Sequence, residues 1–108
     1  MIYLKSTVKI NNLQPQILLA ITLADQVFDG FGYPTWVTSI DDSVHGVNSL
    51  HSKGKAVDLR SKHIAGQTTK GIIFDALVKI LRPLGFDILF ESIGLDNEHY
   101  HIEYDPKV

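Results

Sequence analysis

The chain has 108 residues, no cysteine, a formal charge of -2 and an apolar share of 44%. That length closes one hydrophobic core, so a single domain spanning residues 1–108 is expected to carry everything. The lack of cysteine excludes disulfides and thiolate metal sites, and ten scattered Lys and Arg against twelve Asp and Glu supply no basic field for holding nucleic acid.

In chain order, residues 13–28 place Pro15 near a start and apolar side chains at 17, 18, 21, 24, 27 and 28, one broad face of a helix that Gly30 and Gly32 would end. The apolar run 17–24 is much shorter than the ~20 residues of a membrane helix. No basic run with an apolar segment opens the chain. Neither an anchor nor a signal peptide is expected, so the protein would be made in the cytoplasm, as a monomer. Thr35–Ile40 is β-branched and aromatic and reads as a strand. Residues 41–50 have the composition of a polar surface loop.

Residues 56–59 form a short strand candidate. Thr68 or Thr69 can cap a second helix whose apolar face is Ile73, Leu77, Ile80, Leu81 and Leu84, with Pro83 and Gly85 as its stop. Phe86–Glu91 and His99–Tyr104 alternate as strands around a turn-rich connector, 92–97. Helix, strands, helix, strands in so short a chain predict an α+β domain, a largely antiparallel sheet flanked by helices.

Two clusters carry candidate chemistry: His51-Ser-Lys-Gly-Lys-Ala-Val-Asp58 and Glu98-His99-Tyr100-His101. Catalytic zinc takes three nitrogen or oxygen ligands and keeps one position for water, and His51, Asp58 and His101 make one such set. Gly54 allows the reversal that brings His51 and Asp58 to one ion. Alternation in the last strand puts Tyr100, Ile102 and Tyr104 on the core face, and leaves His99, His101 and Glu103 on the other. A rival set has His99 and His101 as a metal pair. Glu98 stands three residues before His101, so in a regular strand it would face the other way. It can share the site only if it precedes the strand, where it would take the proton of an attacking water. His45, in the polar loop, could contact substrate, Ser49 could orient a ligand, and His63 reads as a surface residue.

At these clusters the sequence resembles the zinc D-alanyl-D-alanine carboxypeptidase family, which includes vancomycin-resistance D,D-dipeptidases and phage L-alanyl-D-glutamate endolysins. Ser49, His51, Gly54, Ala56 and Asp58 meet its Ser-x-His-x-x-Gly-x-Ala-x-Asp pattern, and Glu98 and His101 its acid-x-x-His pattern. The resemblance is strongest to short phage-encoded members. It implies Zn2+ held by His51, Asp58 and His101, catalysis by Glu98, the fold shared with the Hedgehog signalling domain, and hydrolysis of a peptidoglycan peptide in the cell wall after release from the cell. Many members carry an arginine just past the Thr-Ser strand end to bind a substrate carboxylate. Here Thr38-Ser39 is followed by Ile40-Asp41-Asp42, and Arg60 is the substitute candidate. The rival from another class is a non-catalytic Hedgehog-like module that binds cell wall or a protein.

Overall fold

The computed structural model describes residues 1–10, 13–40 and 55–106. Its elements are β1 (Ile2–Leu4), α1 (Pro15–Gly30), β2 (Thr35–Ile40), β3 (Ala56–Arg60), α2 (Gln67–Leu81) with a 3-10 turn (Arg82–Leu84), β4 (Phe86–Glu91) and β5 (His99–Tyr104). The strands form one sheet in the order β1-β2-β3-β5-β4. β1 runs parallel to β2, and the remaining pairings are antiparallel. The domain is therefore α+β, as expected, but its sheet is mixed, because β1 adds a parallel edge that three residues could not announce through periodicity.

The helices form from apolar stripes and buried faces. Pro15 opens α1, where its missing N–H costs no hydrogen bond, and the helix buries Ile17, Ala20, Ile21, Ala24, Val27 and Phe28. Leu18, expected on that face, is exposed, and Ala20 is buried in its place. α2 starts two or three residues earlier than a threonine cap would have it, from Gly66, whose φ of 83° suits a residue without a Cβ. It buries Ile73, Leu77 and Leu81 but leaves Ile80 and Leu84 exposed.

Tyr100 shows where both helices lie. Its ring meets Phe28 of α1 edge-on and stacks on Phe74 of α2, and its hydroxyl donates to the Lys70 carbonyl at 2.7 Å. Both helices thus cover the sheet face that carries Val57, Leu59, Tyr100, Ile102, Phe86 and Ile88. The helices do not flank the sheet on two sides, so the opposite face is left to the polar alternates of the strands. A register shift between Val37 and Ser39 lets both Val37 and Ile40, three residues apart, point into the core. Among the described residues, no helix is long and apolar enough to cross a membrane.

Candidate functional site

The antiparallel pairing of β3 with β5 sets Asp58 directly opposite His101 and Arg60 opposite His99. On the other side of β5, β4 sets Glu91 opposite His99 and Asp87 opposite Glu103. Alternation sends all of these side chains to the face that α1 and α2 leave uncovered. Residues forty-three positions apart in sequence thereby meet: His101 Nδ1 lies 2.7 Å from Asp58 Oδ1.

His101 is held from both sides, since its Nε2 lies 2.8 Å from Glu103 Oε1. Burial works against a charged ring, but its hydrogen bonds to Asp58 and Glu103, followed by the charges of those carboxylates, prevail and raise its pKa to about 9. His99 donates Nδ1–H to the Asn97 carbonyl at 2.6 Å, because a carbonyl can only accept. Its Nε2 then faces Glu91 at 3.3 Å and Asp58 at 3.8 Å.

Three carboxylates, Asp58, Glu91 and Glu103, thus converge on two imidazoles. That is a set of oxygen and nitrogen groups with an excess of negative charge, of the residue types that ligate divalent cations. Binding through His101 would have to displace one of its two protons. Farther along this face, Asp87, Glu103 and Asp105 bring carboxylate oxygens within 4.8 Å of one another.

A cleft of about 590 Å³ opens beside the pair, lined by Lys5, Thr38, Asp58, Arg60, Lys62, His63, Asp96, Asn97, Glu98 and His99. The Arg60 guanidinium lies 5.2 Å from the Trp36 ring centre, a cation–π contact that fixes the fork, and no carboxylate pairs with it among the described residues. Trp36 in turn stacks on Tyr3, with ring centres 4.7 Å apart. His63 is half-buried rather than a surface residue. It packs against Phe28 and Tyr33, and its Nε2 donates to the Pro34 carbonyl at 2.8 Å. Burial lowers its pKa; the Pro34 bond opposes this, and the Arg60 and Lys70 charges add to the lowering.

Glu98 does precede β5, as sharing the site required, but its carboxylate is fully engaged. Oε1 accepts from Ser61 Oγ at 2.6 Å and pairs with Lys70 Nζ at 2.8 Å. Oε2 accepts from Gln67 Nε2 at 3.0 Å and from the Gly94 N–H at 2.8 Å. Only 3% of Glu98 is exposed. Burial alone would raise its pKa, yet the bonds from Lys70, Ser61, Gly94 and Gln67 outweigh it and lower the value from 4.5 to about 2.

A lowered folded-state pKa stabilises the protein above the ordinary value, and the contribution is lost as pH falls from 4.5 through about 2. The full shift corresponds to about 3 kcal/mol. Urea unfolding of the wild type should weaken by that amount across this window. Glu98→Gln should remove that part of the acid dependence, and an unchanged profile would count against the assignment.

His51, His45 and Ser49 lie outside the described residues. Of the remaining candidates, Asp58 and His101 touch, and Arg60 and Glu98 line the cleft together with Asp58. Sequence reasoning missed Glu91, which only strand pairing brings to the histidines, and Lys70, which only the packing of α2 brings to Glu98. Comparison with known proteins finds no matching family model, no matching curated protein and no matching solved structure.

Proposed function

We propose that the chain is a zinc-dependent peptidoglycan stem-peptide hydrolase, an L-alanyl-D-glutamate endopeptidase or D,D-carboxypeptidase of the phage-lysis type, with the Hedgehog-like fold of the family it resembles. The observation that carries this reading is the 2.7 Å contact between Asp58 and His101, two members of the expected ligand set drawn together from distant motifs, with Asp58 on the wall of the cleft. Asp58 and His101 would hold the ion together with His51. When bound, zinc supplies Lewis-acid polarisation of the scissile carbonyl and a water whose pKa falls to about 7.

The remaining work belongs to the chain's own side chains. Arg60, steadied by Trp36 and without an acidic partner among the described residues, suits a two-pronged pair with a substrate carboxylate. Glu103 would orient His101 through Nε2, leaving Nδ1, on the Asp58 side, to turn to the ion. The resemblance names Glu98 for proton transfer.

The test is digestion of purified cell wall with and without a chelator, read by mass spectrometry of the muropeptides. New amino termini at D-glutamate would identify an endopeptidase, and free D-alanine a carboxypeptidase. Products that persist in chelator would exclude a metal mechanism. Wall binding without any product would favour the non-catalytic module.

A further inference from the structure

We propose that Lys5 is a second carboxylate-binding arm of the cleft, so that, beside the Arg60 fork, the site takes a peptide bearing two carboxylates. The identity of that peptide rests on the hydrolase reading; the binding itself does not.

Lys5 reaches the cleft through the pairing of β1. Its N–H donates to the Val37 carbonyl at 2.9 Å, which continues the parallel ladder one residue past Leu4. Alternation then sends Lys5 to the same side as Tyr3, whose ring stacks on Trp36, and Lys5 lines the cleft with Thr38 and Asp58. Thr38 stands between them, its hydroxyl donating to the Asp58 carbonyl at 3.3 Å. With neighbouring strands about 4.8 Å apart, Lys5 beside β2 and the Asp58 and Arg60 positions on β3 are separated by roughly 10 Å of sheet. An extended ligand of about three residues spans that distance.

The charges of the cleft favour such a ligand. Its acids already have partners: Asp58 faces His101 at 2.7 Å, Glu98 faces Lys70 at 2.8 Å and Asp96 faces Lys62 at 3.9 Å. Lys5 and Arg60 line the same cleft, and neither has an acidic partner among the described residues. Two unmatched cations on one recess repel each other, and a single carboxylate answers only one of them. A second carboxylate on the ligand answers both. A carboxamide in its place is neutral and forfeits the attraction, so the cleft should read the charge of the peptide as well as its shape.

The test uses the tripeptide L-alanyl-γ-D-glutamyl-D-alanine, which carries the free α-carboxylate of D-glutamate and a terminal carboxylate, beside its two monoamides and its diamide. Binding is followed in chelator by the NMR shift of the indole N–H of Trp36, the single tryptophan of the chain and the ring that carries the Arg60 fork. The wild type should bind the diacid about fivefold more tightly than the monoamide that Lys5 reads. The margin over the other monoamide, whose lost carboxylate pairs with the Arg60 fork, should be about tenfold.

Lys5→Met should weaken the diacid about fivefold and become indifferent to amidation of one carboxylate while still distinguishing the other. Lys5→Arg should restore the preference. Because Lys5 is exposed, Lys5→Met should melt as the wild type does. Equal affinity of the wild type for diacid and diamide would overturn the proposal, as would a Lys5→Met variant that binds the diacid as tightly as the wild type. Digestion of cell wall separates this from the hydrolase reading. A wild type that binds the diacid as expected but cleaves no wall would defeat the hydrolase and leave the arm standing. A wild type that cleaves wall, with Lys5→Met binding and cleaving equally well, would do the reverse.

Discussion

Tyr100→Ala is expected to destabilise the protein by about 4–5 kcal/mol, a large share of the 5–15 kcal/mol that holds a small domain together. The side chain is fully buried at the junction of sheet and helices. Its ring lies 4.8 Å from Phe90, 5.9 Å from Phe28 and 6.4 Å from Phe74, so truncation opens a cavity walled by rigid rings that cannot collapse into it. Its hydroxyl also satisfies the Lys70 carbonyl at 2.7 Å. Tyr100→Phe isolates that bond and should cost only about 1 kcal/mol. Urea denaturation of the two variants separates packing from hydrogen bonding. A loss below 2 kcal/mol for Tyr100→Ala would mean that this ring is not central to the core.

His101→Ala should abolish tight zinc binding and hydrolysis, and it should weaken the fold even with metal removed. The imidazole stands between Asp58 and Glu103, 2.7 and 2.8 Å away, and its positive charge offsets both carboxylates. Without it the two carboxylates lose their common partner. Asp58 and Glu103 retain 20% and 24% of their side-chain surface, so the cost is expected at the low end for a broken buried pair, about 3 kcal/mol. Isothermal titration with zinc and urea unfolding in chelator measure the two effects separately. Wild-type zinc affinity in this variant would remove His101 from the ligand set and leave His99 as the histidine of β5 to examine.

Local pattern was enough for most elements of this chain. The 3.6-residue stripe of α1, the period-two alternation of β4 and β5, and the β-branched run of β2 are each contained in fewer than about twenty residues, and each appears where its pattern lies. The facing of His99, His101 and Glu103 away from Tyr100 and Ile102 followed from the same period. What local pattern missed depends on distant partners. β1 exists because Ile2, Tyr3 and Leu4 find an edge at Thr35, Trp36 and Val37, and three isolated residues carry no periodicity of their own. Leu18 and Ile80 lie next to apolar stripes, and only the packed sheet decides which flank of a stripe is covered.

The candidate site divides along the same line. The residue types suited to a metal, their order in two short motifs and the strand face that bears His101 were determined by the sequence alone, because spacing and alternation are local. The tertiary structure alone decided that Asp58 pairs with His101, that Glu91 and Glu103 join the histidines, and that Arg60 rests on Trp36 beside the cleft. It also decided the setting of Glu98, whose partners Ser61, Gln67 and Lys70 lie 37, 31 and 28 residues away. A carboxylate next to a histidine motif reads the same in sequence whether its lone pairs are open or filled. Burial and the approach of an ammonium and three further donors set its charge and its freedom to move, and these arise only once the chain has closed on itself.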